Sequence, residues 1–286
     1  MPRLATLRYL VAALCLGALL PATLSDTGIG QVRTTGKLEA AYRATLLGIP
    51  IGDIGWTIDL RDSRFSAAAT GSTVGLFQIF AHGRGNAEAH GSIAGKEPVA
   101  SAFKVSFTSG NSTDEIKIAF NGGKAKETLA HPRPPIPGLV PLTDAYRTGV
   151  VDPMTALLVH VPGNGNTSVP AACERKIAVF DGHMRYDLRL AFKRMQQVKA
   201  ATGYRGPAVV CAVYFTPLAG YDPNRAAIKY LQAERGMEIW LAPLTGTRLM
   251  VPFRFSVPTP IGVGVLQATR FTFEPQPEHS SAISTN

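Results

Sequence analysis

Residues 176–193 read KIAVFDGHMRYDLRLAFK, and the alternation inside this stretch decides the fold class. Two strand-like runs, 176–180 and 183–193, flank Asp181-Gly182, a dipeptide suited to a tight hairpin turn. On the return run Met184, Tyr186, Leu188, Leu190 and Phe192 fall on one face, and His183, Arg185, Asp187, Arg189 and Lys193 on the other. A period of two with one apolar and one charged face predicts an antiparallel sheet that meets water on one side.

The same period recurs outward from this hairpin. Leu38, Ala40, Tyr42, Ala44 and Leu46 share a face opposite Glu39, Arg43 and Thr45. Trp56, Ile58 and Leu60 are in phase over 54–60, and Leu249, Val251, Phe253, Phe255 and Val257 over 248–257. Further strands are expected at 65–69, 87–93, 100–108, 115–120, 124–129, 209–215, 238–241 and 265–273, with Asn121-Gly122 as a hairpin signal. The run 74–80 suits either a short helix or a buried strand. Asp152-Pro153 and Asp222-Pro223 supply cap and first-turn residues for helices over 154–160 and 224–235, the second with Gly236 as its stop.

These elements predict a mainly β protein: one large, strongly curved antiparallel sheet, half-barrel or β-spiral like, with two short helices packed in its concavity. A single β-rich domain is expected over 38–274, crossed by a Pro-rich segment at 131–141. A loose lead-in at 26–37 precedes it, and a disordered tail at 275–286 follows. With 45% apolar and 17% charged residues, the 286-residue chain belongs among globular rather than disordered proteins.

Residues 1–25 read as a secretory signal peptide. Arg3 and Arg8 are the basic start, 9–20 the apolar stretch, and Pro21 with the small residues after it the cleavage region. The rival reading, a membrane anchor, needs about 20 apolar residues, and the stretch is shorter. Cys15 lies inside the apolar stretch without a small residue before it, which disfavours a lipid anchor. No later segment is long enough to span a bilayer as a helix, so a periplasmic destination without a stable membrane span follows. Cleavage removes two arginines and no acid, which takes the net charge from +9 to +7. That balance suits either solubility or contact with an anionic envelope component, and the absence of a Lys/Arg run argues against nucleic acid. Two cysteines remain, Cys173 and Cys211, an even pair that in an oxidising compartment reads as a disulfide, with metal ligation as the rival.

Catalytic motifs are missing. GxSxG does not occur, and Gly71-Ser72-Thr73-Val74-Gly75 has the wrong spacing. Six histidines are scattered without HExxH or HxH, and His82 and His90 suit a surface pair across a hairpin. The glycines around Arg84 and Asn164 are turn glycines, not phosphate loops. Neither a cofactor nor a metal site is expected. Asp144, Asp152, Asp181 and Asp222 suit turns and caps. Asp187 between Arg185 and Arg189 suits a cross-strand ion ladder; on a concave face the two arginines are candidate anion contacts. Trp56, Tyr186, Phe192, Trp240, Phe253 and Phe255 suit a core, and equally the lining of a hollow that takes an acyl chain.

The run from Cys173 to Leu188 resembles the C-x-R-x-x-x-V-F-D-G-x-x-R-Y-D-L segment of bacterial domain-of-unknown-function family 3108. Val210-Cys211, Pro217 to Tyr221, Glu238 to Pro243, Val251 to Arg254 and Pro258 to Gly262 fit the same pattern, as do Tyr42, Leu47-Gly48 and Ile51-Gly52. The family's usual Gly-His after the second cysteine strand stands here as Gly220-Tyr221. The resemblance spans about residues 38–274. It implies an exported envelope protein of Gram-negative, alphaproteobacterial type and no established activity. Three functions follow as expectations: a non-enzymatic periplasmic protein that binds a lipid or other amphiphile in the concavity of its sheet, an envelope scaffold acting through protein partners, or a hydrolase with an unrecognised site.

Overall fold

Small and apolar residues at every second position set the strands, and their register closes them into one sheet. The computed structural model describes residues 35–61, 63–74, 83–93, 97–130, 137–163 and 166–276, all within the unit Val32–Asn286. The expected signal peptide, most of the lead-in and the run 75–80 lie outside the described residues, as do 131–136 of the Pro-rich crossing and 277–286 of the tail.

Seven strands form an antiparallel meander: β1 (Gly36–Leu46), β2 (Ile49–Arg61), β3 (Arg64–Thr73), β4 (Gly83–Ser92), β5 (Val99–Ser109), β6 (Ser112–Asn121) and β7 (Lys124–Ala130). After β8 (Val159–His160) come β9 (Arg175–Phe180), β10 (Arg185–Lys199), β11 (Thr202–Gly203) and β12 (Arg205–Ala219). The one α-helix among the described residues, α1 (Ala226–Ala233), precedes β13 (Glu238–Pro243), β14 (Leu249–Thr259) and β15 (Gly262–Pro275). The sheet order is β7-β6-β5-β4-β3-β2-β1-β15-β14-β13-β12-β10-β9, with β8 beside β14 and β11 beside β15.

The two ends of this sheet are stitched together. Val151 bridges Val179 of β9 in parallel, and the Phe180 amide donates to the Val151 carbonyl at 2.9 Å. Three residues earlier Thr148 bridges Lys124, and the Val150 amide donates to the Gly123 carbonyl at 2.9 Å. The result is a nearly closed, barrel-like sheet. Its β6–β7 turn is centred on Gly122-Gly123, both at positive φ (57° and 74°), one residue later than the Asn121-Gly122 signal. A type I′ turn needs that conformation twice, which glycine adopts without steric cost.

The face turned inward is apolar. Leu38, Tyr42, Trp56, Ile58, Leu60, Phe65, Ile118, Phe180, Phe253 and Phe271 are buried in one cluster. The Tyr42 hydroxyl donates to the Pro252 carbonyl at 2.7 Å and so ties β1 to β14. Apolar inside and polar outside is the reverse of a transmembrane barrel.

The second half of the sheet is covered on its outer face as well. There Val159, Val161, Cys173, Leu190, Val209, Cys211, Val213, Ile239, Leu241 and Met250 form a second cluster. Covering both faces of β12 explains its continuous apolar run, Val209 to Val213. It also corrects the expectation of helices in the concavity: α1 packs outside, its Leu231 against this second cluster.

The expected helix over 154–160 is a single 3-10 turn, Thr155–Leu157, followed by β8. Asp152 does cap it, accepting the Met154 and Thr155 amides at 2.9 Å each. Continuation is lost because Val159 and His160 pair with Met250 and Leu249. The other helix starts at Ala226 and not 224, since Asp222 accepts the Asn224 amide at 2.8 Å and closes a turn first. Gly236 is not in the left-handed conformation of a helix stop.

Candidate functional site

The six aromatics suited to lining a hollow do not line one together. Trp56, Trp240 and Phe253 are buried in the inner cluster, where the Phe253 ring lies 5.7 Å from Phe271 and 6.3 Å from Tyr204. Tyr186 is half-buried 5.4 Å from Phe215, and Phe255 packs on the outer cluster. Phe192 is exposed.

The arginine pair also separates. Arg185 and Asp187 are buried because their cross-strand partners Phe180 and Ala178 face the interior, so this part of β10 is not the solvated charged face its alternation suggested. Arg185 Nη2 lies 2.8 Å from Asp187 Oδ1, Lys176 Nζ lies 2.7 Å from Oδ2, and Arg185 also donates to the Tyr186 carbonyl. Buried and paired with Asp187, this guanidinium does not face an external anion. Arg189 is exposed, its guanidinium 3.9 Å from the Tyr214 ring centroid. Cys173 and Cys211, both fully buried, have their sulfurs 2.02 Å apart in the outer cluster.

A different constellation does converge, along the polar face of β5 to β1 and, through Gln267 of β15, at Arg254 of β14. Register pairs Thr108 with Arg84, Arg84 with Ser72, Ser72 with Asp53 and Asp53 with Arg43. Arg43 then pairs with Gln267, and Gln267 with Arg254. Seven polar side chains thus form one row across β5, β4, β3, β2, β1, β15 and β14. The neighbouring row begins with Ala41 and Gly55, whose small size leaves a trough beside the polar one.

Two open concavities, of about 730 and 670 Å³, meet over Arg43 and Thr269. The first is walled by Asp53, Thr70, Ser72, Arg84, Asn86 and Thr108. The second is walled by Thr45, Leu47, Lys199, Arg254, Val263 and Val265. Four cations (Arg43, Arg84, Lys199, Arg254) and one carboxylate (Asp53) line the trough, so its field is positive.

The cations differ in what holds them. Arg43 grips Asp53 through two bonds, Nε–Oδ1 at 3.0 Å and Nη2–Oδ2 at 3.4 Å, and the bonded carboxylate raises the guanidinium above its ordinary range. Arg254 donates to Gln267 Oε1 at 2.9 Å and lies 4.9 Å from the Trp240 ring centroid. Its Nε is buried without a partner. Trp240 has Arg194 at 5.5 Å from its ring centroid and donates its indole N–H to Gln196 at 3.1 Å. Arg84 and Lys199 have no ion-pair partner among the described residues.

The trough therefore grades from hydroxyls and the guanidinium of Arg84, through cations at Arg43, Lys199 and Arg254, to the apolar walls of Leu47, Val263 and Val265. Such a surface recognises an anion with a polar neighbour on one side and an apolar one on the other.

Residues 41–269 match the family described as "Protein of unknown function (DUF3108)". Among solved structures, the chain is similar to a β-barrel-like protein of domain of unknown function DUF1849 from Brucella abortus. The identity is 8%, over 86% of this chain and 100% of that chain, with a TM-score of 0.48. It is also similar to a candidate lipoprotein from Parabacteroides distasonis ATCC 8503, at 8% identity over 84% of this chain and 96% of that chain, TM-score 0.34. Neither likeness is close enough to bear on function. No curated protein matches.

Proposed function

The chain belongs to the DUF3108 family of proteins of unknown function, and from that premise we propose that it is an exported, non-enzymatic periplasmic protein that binds an anionic amphiphile. The ligand lies along the outer trough, not in the interior of the sheet, where Trp56 and Phe253 pack into the core. The observation that carries this reading is the graded row from Arg84 to Arg254, with Arg84 and Lys199 unpaired among the described residues beside the apolar Val263 and Val265. An anionic headgroup satisfies the cations, and a hydrocarbon chain covers the apolar wall. The basic net charge of the chain acts in the same direction.

The test is a titration with lysophosphatidylglycerol below its micellar concentration, followed by calorimetry or by Trp240 fluorescence. Saturable binding that weakens with salt is expected. Arg84→Glu with Lys199→Glu weakens it at least about tenfold, since two near-surface contacts of about 1 kcal/mol each become repulsions. Zwitterionic lysophosphatidylcholine binds more weakly. Equal binding of the two lipids, or an unaffected charge-reversed variant, overturns the reading.

A further inference from the structure

Two hairpin tips at one end of the trough carry apolar side chains into solvent. Leu47 is 67% exposed and Ile49 54% at the β1–β2 turn; Ile261 is 69% and Val263 46% at the β14–β15 turn. The tips adjoin: the Leu47 amide donates to the Val263 carbonyl at 3.2 Å, and a Cβ on Gly262 would overlap the Leu47 side chain. Residues 44–52 and 255–269 contain no charged side chain at all. Exposed strand ends are ordinarily guarded by charge, and contiguous exposed apolar groups mark a contact surface.

Backbone conformation sharpens the point. Leu47 sits at φ 53° beside Gly48 at φ 80°. A left-handed leucine carries backbone strain that Gly or Asn avoids. Leu47 recovers little of this by packing, since two thirds of it faces water. A residue that is both strained and exposed is explained by what its side chain meets outside the fold.

Charge decides what that is. Leu47 and Val263 share their concavity with Arg43, Lys199 and Arg254, and no carboxylate lines it. Four residues of extended chain, about 13 Å, separate Arg43 from Leu47. With the cations at the level of lipid phosphates, the tips reach the margin of the acyl chains.

We infer that the paired tips dock the protein on an anionic lipid bilayer, with Leu47, Ile49, Ile261 and Val263 inserted and Arg43, Lys199 and Arg254 against the headgroups. This surface shares Arg43, Leu47, Lys199, Arg254 and Val263 with one end of the trough and adds Ile49 and Ile261, which line neither concavity; it does not require that a free amphiphile bind.

Flotation with vesicles of phosphatidylcholine, alone or with one quarter phosphatidylglycerol, tests it. The protein is expected to float with the anionic vesicles and at least about tenfold less with the neutral ones. Ile49→Asn with Ile261→Asn, at two tip residues that line neither concavity, is expected to lose vesicle binding at least about tenfold. Its melting temperature is unchanged, since both side chains are more than half exposed. Lysophosphatidylglycerol titration of the same variant separates the two sites: retained monomer binding with lost flotation assigns the tips to the bilayer. Equal flotation of variant and parent, or no flotation of the parent, overturns the inference. A concentration-dependent dimer in sedimentation velocity that the tip variant abolishes also overturns it, by assigning the tips to a second copy.

Discussion

Reducing the Cys173–Cys211 pair puts a number on how the outer layer is held. Cys173 ends the 3-10 turn Pro170–Cys173, and Cys211 lies in β12 opposite Phe192 of β10 and Ile239 of β13. The link therefore pins the segment covering the outer face to a central strand. Both sulfurs are fully buried, so reductant reaches them only through unfolding, and reduction is done in denaturant before refolding. Thiols keep nearly the same volume, so the change is dominated by the freedom of the unfolded chain. Closing a 38-residue separation removes loop entropy equivalent to about 4 kcal/mol. At about 2–4 °C per kcal/mol for a domain of this size, the reduced protein melts about 10 °C lower. Scanning calorimetry of both forms at one protein concentration reads this directly. A difference under about 2 °C, with two thiols open to alkylation in the unreduced denatured protein, refutes the reasoning.

Phe253→Ala empties the centre of the Tyr204–Phe253–Phe271 ring cluster and is expected to lower the unfolding free energy by about 3–5 kcal/mol in urea titrations; a loss under about 1 kcal/mol would mean that the interior is loosely filled. Glu238 is held down to about 2, first by the hydrogen bond from Arg194 and also by Lys193, so its contribution is fully present above its ordinary value near 4.5 and disappears as pH falls toward 2. The stability gap between the parent and Glu238→Gln should therefore shrink from pH 6 to pH 3, and a constant gap in urea midpoints would contradict the assignment.

The course of the fold was legible where one side of a strand met the core and the other met water. Leu38, Ala40 and Tyr42 on β1 face where their alternation predicts. What lies over the opposite face was not legible, because periodicity records orientation and not cover. Arg185 and Asp187 alternate as a solvated face would, yet they are buried. The helix expected at 154–160 failed for a similar reason: its start signal is present, but Val159 and His160 found a strand to pair with.

The trough was hidden by register. Arg43 and Arg254 are 211 residues apart and meet only because both pair with Gln267. Bulges between Ala41 and Tyr42 and between Trp240 and Leu241 shift the phase of the faces, and the second sets Trp240 against Arg254. The polar face of β1, with Arg43 and Thr45 opposite Tyr42 and Ala44, was the available signal. The apolar hairpin tips were legible as uncharged segments, but their adjacency was not.

The claim that the ligand lies along the outside of the sheet is tested most directly by covalent mapping. A lysophosphatidylglycerol carrying a diazirine in its acyl chain is bound, irradiated, and the labelled peptides identified. Label on the peptides of β1 and β15 that carry Thr45, Val263 and Val265, competed away by unmodified lipid, is the expected result. Label confined to the interior peptides around Trp56 and Phe253, or label that competition leaves unchanged, contradicts the account.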